Sequence, residues 1–175
     1  AAMEASSHGL DQRRMDGVRL RAAGFTNLTQ DHLDYHHTME EYFRAKAGLF
    51  DRLLPEDATA VINMHGAGGA DVLAIAEERG LKALTVGRTM GCNLRITGQR
   101  YDATGQDLRF DWQGQPHQVH LNLVGGFQAE NVLVAAGLVI AAGEAASDVF
   151  RVLPSLTGVR GRMQLAATRQ NGAAV

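Results

Sequence analysis

The chain has 175 residues, 45% apolar and 21% charged, the balance of a globular domain that can bury a core. A net charge of −2 gives no electrostatic case for nucleic acid or an anionic membrane surface. The longest apolar run, Val132 to Ala142, is too short for a membrane span of roughly 20 residues, so no membrane insertion is expected.

One cysteine, Cys92, excludes an internal disulfide and fits a reducing compartment. The opening residues lack a secretory leader pattern, so a cytoplasmic location is expected. The start, AAMEASSHGL, and the end, NGAAV, both read as interrupted elements.

In chain order, residues 1–5 read as the end of a buried strand, and SSHGLDQRR as a polar turn into a short helix. Residues 18–28 read as an approach and a buried strand that ends at Phe25 to Leu28. The polar turn TQDHLDYHH follows. Thr38 and Glu41 have capping-box spacing, Thr as N-cap and Glu at N3, and Pro55 marks the helix stop. Met39, Tyr42, Phe43, Lys46, Leu49, Phe50 and Leu53 recur at helical spacing, so Lys46 lies inside an apolar stripe.

TAVIN (59–63) reads as a strand, HGAGG as a loop, Ala70 to Arg79 as a helix ended by Gly80, and ALTVG (83–87) as a strand. The pattern then changes to Leu94–Tyr101, Asp107–Trp112 and His117–Leu123, alternating and separated by turns. Residues 127–143 read as a buried helix, and Ala146 to Leu153 as a last short helix before Pro154. The predicted fold is α/β. A mostly parallel sheet is flanked by helices, with a small antiparallel β subdomain.

Four groups of residues offer chemistry. Lys46 on an apolar face either snorkels to water or is desolvated with a lowered pKa. A neutral amine can take up carbon dioxide as a carbamate, turning a cation into an anionic oxygen ligand. Asp31, His32, Asp34, His36 and His37 crowd the turn after a predicted strand, where open α/β sheets bind ligands; the alternative is a polar, helix-capping loop. Zinc is disfavoured, because H-E-x-x-H and paired-cysteine spacings are absent. Glu4 before Ser6-Ser7-His8-Gly9 could hold a metal or phosphate, or form a solvated turn. Arg14 and Arg162 carry forks suited to carboxylate or phosphate oxygens. No G-x-x-x-x-G-K-[ST] loop occurs, and G-A-G-G at 66–69 lacks its lysine.

These residues resemble the Mur ligases of peptidoglycan synthesis, a bacterial cell-wall pathway tied to cell shape and division, and most of all their MurE type. MEASSHGLDQRR at 3–14 is similar to the family's E-V-S-S-H-G-L segment with its following arginine. FTNLTQDHLDYHHTMEEYFRAKAGLF is similar to T-N-L-x-x-D-H-L-D-Y-H and the helix with the modified lysine. FQAENVLVAAG at 127–137 resembles the Asn-bearing helix near adenine, and LTGVRGRMQ at 156–164 the G-V-P-G-R-M junction. The chain departs from the pattern at VINMHGAGG, where an acidic pair is missing, and at His37, Gln128 and Arg160.

The resemblance implies an ATP-dependent ligase that adds the third stem-peptide amino acid, meso-diaminopimelate or L-lysine. The acceptor is UDP-N-acetylmuramoyl-L-alanyl-D-glutamate, and the route is an acyl phosphate. It implies a central ATP-binding domain over 1–155 and the start of a C-terminal domain over 156–175. The phosphate-binding loop would lie upstream, so the chain alone is expected to be inactive. A monomer is expected.

Carried over by position, Glu4, His32 and Lys46 would hold Mg2+, with Lys46 as its carbamate. Ser6, Gln12 and Arg14 would contact the UDP-N-acetylmuramoyl-dipeptide. Asn131 would approach the adenine of ATP, and Arg162 its phosphates. The alternatives are a folylpolyglutamate synthase-like ligase and a non-catalytic nucleotide-sugar-binding domain.

Overall fold

The computed structural model describes residues 1–29, 35–102 and 104–158. It contains α1 (Ser7–Asp11), β1 (Ala22–Phe25), α2 (Met39–Gly48), β2 (Thr59–Asn63), α3 (Gly69–Glu78), β3 (Lys82–Gly87), β4 (Leu94–Tyr101), β5 (Gln106–Trp112), β6 (Gln115–Leu121), α4 (Phe127–Ala141) and α5 (Ala146–Val152). The strands form a mixed sheet in the order β1-β2-β3-β4-β5-β6. β1 runs parallel to β2 and β3 parallel to β4, while β4, β5 and β6 are antiparallel. The expected antiparallel strands therefore continue from a parallel pair. The chain divides into two compact units, 1–85 and 86–175.

In the first unit, β1 and β2 pair in a register that sets Phe25 opposite Ile62, so β2 ends one residue beyond β1, at Asn63. Val61 and Ile62 are fully buried, as expected for a parallel strand covered on both faces. Phe25 and Phe50 meet edge to face, 6.2 Å between centroids, inside a core that includes Leu54, Val72 and Ala76. Residues 1–6 form no strand, contrary to expectation. Their backbone pairs with no strand among the described residues, and only Ala5 packs on the core. The strand expected within 18–28 is likewise shorter, ending at Phe25.

The Thr38 cap holds. Its Oγ1 accepts from Glu41 N–H at 3.1 Å. The Glu41 carboxylate accepts from His37 N–H at 3.0 Å, one residue ahead of the cap, so the box is displaced by one donor. The helix does not continue as α to Pro55. Leu49–Leu53 is a π segment, closed by Leu54 N–H to Leu49 O at 2.9 Å. The wider turn lets Leu49, Phe50 and Leu54 all be buried. Arg79 seals this end by donating to Phe50 O and Leu54 O.

α3 begins where HGAGG was expected to be only a turn. A Cβ on Gly69 would lie 2.3 Å from Asn63 O, so the helix start presses directly on the end of β2.

In the second unit, β5 and β6 join through the two-residue turn Gln113-Gly114, with Trp112 opposite Gln115. Both turn residues have positive φ, the geometry that suits a tight hairpin. Phe150 of α5 packs on Phe110 and His117 at 5.0 and 4.8 Å. α4 is buried along Ala129, Val132, Leu133, Val134 and Ala136, although Phe127 and Val139 are exposed.

A polar network fixes the start of α4. Glu130, whose side chain is 6% exposed, accepts from Arg88 Nε and Nη2 at 3.2 and 3.0 Å. Arg88 also donates to Gln99, which donates to Gly126 O and to Gln106. The fully buried Gln106 donates to Leu123 O and Gly125 O, both at 3.0 Å. Such a network is strongly coupled because each unpaired buried group is costly.

Two stability predictions follow from these contacts. Thr38→Ala removes one capped donor and lowers urea-unfolding stability by about 1 kcal/mol. Arg88→Met strands the buried Glu130 carboxylate and costs about 3 kcal/mol. The exposed pair Arg151–Asp148 is the control, and Arg151→Met changes stability by less than about 0.5 kcal/mol in the same titration.

Candidate functional site

The C-terminal end of β1 carries the first cluster. Beyond Phe25 the chain leaves the sheet, so the carbonyls of Thr26 and Asn27 are free to accept from side chains. Asn63 at the end of β2 donates its Nδ2 to Thr26 O at 2.8 Å and accepts from His65 N–H at 3.0 Å. Lys46 of α2 donates its Nζ to Asn27 O at 2.6 Å. The amine lies 5.5 Å from the Phe25 ring centroid and 5.3 Å from that of Tyr42. Burial lowers its pKa from the ordinary 10.5. Between the lowered value and 10.5 the unfolded chain holds the extra proton, so this group's contribution to stability rises with pH there.

The two sequence readings of Lys46 are thus both partly met. The amine is half-buried on the apolar face, yet it finds a backbone acceptor and two aromatic faces rather than bulk water.

Rings continue from this point to α1. His36 stacks on Tyr42 at 5.4 Å, meets Tyr35 at 4.8 Å and lies 5.6 Å from His8, which is 3.9 Å from Tyr35. His36 is only 4% exposed, and its Nε2 has no hydrogen-bond partner among the described residues.

α1 organises the residues expected to contact substrate. Ser6 is its N-cap, its Oγ accepting from Gly9 N–H at 3.1 Å. Gln12 donates to Tyr35 Oη at 3.3 Å, and Tyr35 Oη donates to Asp11 at 2.8 Å. Arg14 is exposed, its backbone N–H bonded to Gly9 O. Glu4 is exposed in the irregular opening segment. His32, Arg160 and Arg162 lie outside the described residues.

The second unit holds a smaller pocket of about 310 Å3, lined by Leu123, Phe127, Gln128, Asn131, Leu156, Thr157 and Gly158. Asn131 and Gln128 supply amides and Thr157 a hydroxyl to a wall whose remaining lining is apolar, a composition suited to a flat heterocycle. The network through Arg88, Gln99 and Gln106 ends on the carbonyls of Leu123, Gly125 and Gly126, immediately before this wall.

Sequence reasoning missed Asn63, the contact of the Tyr42 ring with the Lys46 amine, and the Glu130–Arg88 pair. Glu130 had a signal, as the one charge in the apolar run 127–143. Asn63 had a weaker one, a polar residue ending a β-branched strand.

For a magnesium ion, Glu4 offers a hard oxygen. Lys46 as an amine is a donor and offers none, so it fits the metal only after conversion to a carbamate. Among the described residues no group of three His, Cys, Asp or Glu side chains could hold a metal. No helix among them is long and apolar enough to cross a membrane.

Comparison with known proteins agrees with this architecture. The Mur ligase middle domain family matches residues 1–139. The UDP-N-acetylmuramoyl-L-alanyl-D-glutamate--2,6-diaminopimelate ligase of Caulobacter vibrioides is 52% identical over 163 residues, covering 93% of this chain and 33% of that protein. A solved structure of a ligase with the same name superposes with a TM-score of 0.83 at 32% identity, covering 94% of this chain and 34% of the other. The apo form of L. casei FPGS superposes with a TM-score of 0.67 at 16% identity, over 86% of this chain and 37% of its own, a likeness of fold alone. The chain spans 33% and 36% of the length of the first two curated relatives it matches. With a parallel β1–β2 pair ending at Phe25 and Asn63, a capped α2 behind it, and the family matched over 1–139, the chain belongs to the Mur ligase middle domain family.

Proposed function

We propose that the chain is the central part of an ATP-dependent ligase of peptidoglycan precursor synthesis. The ligase joins 2,6-diaminopimelate to UDP-N-acetylmuramoyl-L-alanyl-D-glutamate. The observation that carries this reading is Lys46: a half-buried amine of α2 with a lowered pKa, held against the carbonyl of Asn27 just beyond β1, inside the residues the family matches and in a segment that resembles the family's modified-lysine helix. The 52% identity to a diaminopimelate ligase supports that amino acid over L-lysine. The 16% identity to the FPGS structure gives little support to the folylpolyglutamate alternative.

In this reading a carboxylate oxygen of the acceptor attacks the γ-phosphorus of ATP, and ADP leaves. The amine of diaminopimelate then attacks the acyl carbon. The amide bond forms, inorganic phosphate departs, and the amine gives up a proton. Gln12 and Arg14 on the α1 exit orient the acceptor, with Ser6 fixing the helix start that presents them. The Asn131 amide and the Phe127 ring hold adenine in the pocket at α4. Arg162 would reach the phosphates.

Glu4, His32 and carbamylated Lys46 would hold magnesium, which when bound supplies positive charge to the transferring phosphoryl group. Burial of the lysine lowers its pKa and so enlarges the neutral, reactive fraction, against the Asn27 carbonyl and the Phe25 and Tyr42 ring faces, which favour the ammonium. Residues 156–175 are read as the beginning of the following domain.

Two experiments test this reading. In the full-length ligase, Lys46→Arg keeps the charge but cannot serve as an oxygen ligand, and lowers kcat by about 100-fold or more. NMR with 13C-bicarbonate shows a carbamate carbon in the unsubstituted ligase and none in Lys46→Arg. A variant with undiminished kcat removes Lys46 from the mechanism. Separately, Asn131→Leu raises KM for ATP about tenfold with kcat little changed, as expected when a hydrogen bond made equally in ground and transition states is lost. An unchanged KM for ATP moves the adenine elsewhere.

A further inference from the structure

Arg13 stands where a glycine is the usual residue. α1 closes with a Schellman pair, Arg13 N–H to Leu10 O at 3.2 Å and Arg14 N–H to Gly9 O at 2.8 Å, and Arg13 has φ +56°. α3 closes in the same way, with Gly80 N–H to Glu77 O and Leu81 N–H to Ala76 O, and there the left-handed residue is a glycine at φ +66°. A side chain in that region is strained, and such strain concentrates where the side chain has a use.

The Arg13 side chain lines a cleft of about 560 Å3 between α1 and α2, together with Tyr35, Glu41, Arg44 and Arg52. Arg13, Arg44 and Arg52 line this cleft against the carboxylates of Asp11 and Glu41, so positive charge exceeds negative among the lining residues. Arg52 is taken by Asp16 at 2.6 Å. Asp11 accepts from Tyr35 Oη, and Glu41 from His37 N–H. Arg13 and Arg44 have no carboxylate partner among the described residues. Arg13, just past the end of α1, and Arg44 of α2 therefore line the same cleft with no carboxylate paired to either among the described residues.

We propose that this cleft is a binding site for a small anion bearing a carboxylate or phosphate group, held by Arg13 and Arg44. Paired forks suit the in-plane oxygens of either group. The site adjoins Gln12 through Tyr35, and so deepens, and rests on, the reading of α1 as the substrate-contacting element.

The test follows arginine Nε–H resonances by NMR in the 175-residue chain, titrated with inorganic phosphate and, separately, with succinate. The expected result is saturable shifts at Arg13 and Arg44 and none at the exposed Arg19 and Arg151. Arg13→Gly and Arg44→Gln each weaken binding about tenfold, as for loss of a charge-assisted hydrogen bond. Arg13→Gly also leaves Tm unchanged or raises it, because glycine relieves the left-handed strain. Loss of binding alongside retained stability is the signature of a ligand-holding residue. If Arg13→Gly does not fold, Arg44→Gln decides alone.

Saturation by phosphate alone assigns a phosphate-bearing ligand, saturation by succinate alone a carboxylate-bearing one, and saturation by both a general anion site. Unsaturable shifts, shifts spread over all exposed arginines, or unaltered binding in both variants overturn the proposal. Failure here with the Lys46 carbamate and the Asn131 effect intact leaves the ligase reading standing. Anion binding without those two overturns the ligase reading instead.

Discussion

The ammonium of Lys46 held against the carbonyl of Asn27 is the contact on which the first unit's candidate site depends. It joins the segment just beyond β1 to the last turn of α2. It forms because three independent pieces of local structure agree. β1 stops at Phe25, leaving Asn27 O outside the sheet ladder. Thr38 starts α2 in a register that turns Lys46 toward the sheet. Phe25 and Tyr42 supply π faces that partly replace the lost hydration of the charge. A one-residue shift of the cap would rotate Lys46 by about 100° and move it off the stripe.

The same economy governs the second unit, with a buried carboxylate in place of a half-buried amine. Glu130 enters an apolar helix because Arg88 reaches it from the end of β3. The remaining polar groups form a chain to three backbone carbonyls. Burial of a charge is tolerable only where such partners are already organised. The consequence is positional: the turn entering α4, and with it the wall that carries Phe127, Gln128 and Asn131, is tied to the central strands of its unit.

The two helix ends of the first unit show how identical hydrogen bonding can serve different ends. Gly80 closes α3 at no steric cost, in a place where an added Cβ would meet no atom within 4 Å. Arg13 closes α1 in the same conformation at a cost, and its side chain enters a cleft. Stability alone accounts for the first and not for the second.

Much of the architecture was legible in the sequence because it rests on short-range rules. The cap at Thr38, the strand 59–63, the stop at Gly80 and the inward face of Lys46 all follow from neighbours within a few residues. The motifs spaced from Glu4 to Asn131 carried the family. Tertiary structure alone decided the rest. It made residues 1–6 irregular, because a strand exists only beside a partner. It widened α2 into a π segment at Leu49, because the core needed Leu49, Phe50 and Leu54 together. It paired Glu130 with Arg88, 42 residues away, and set Arg13 and Arg44 in one cleft. Those outcomes depend on contacts between segments distant in the chain, and no local pattern encodes the distance between them.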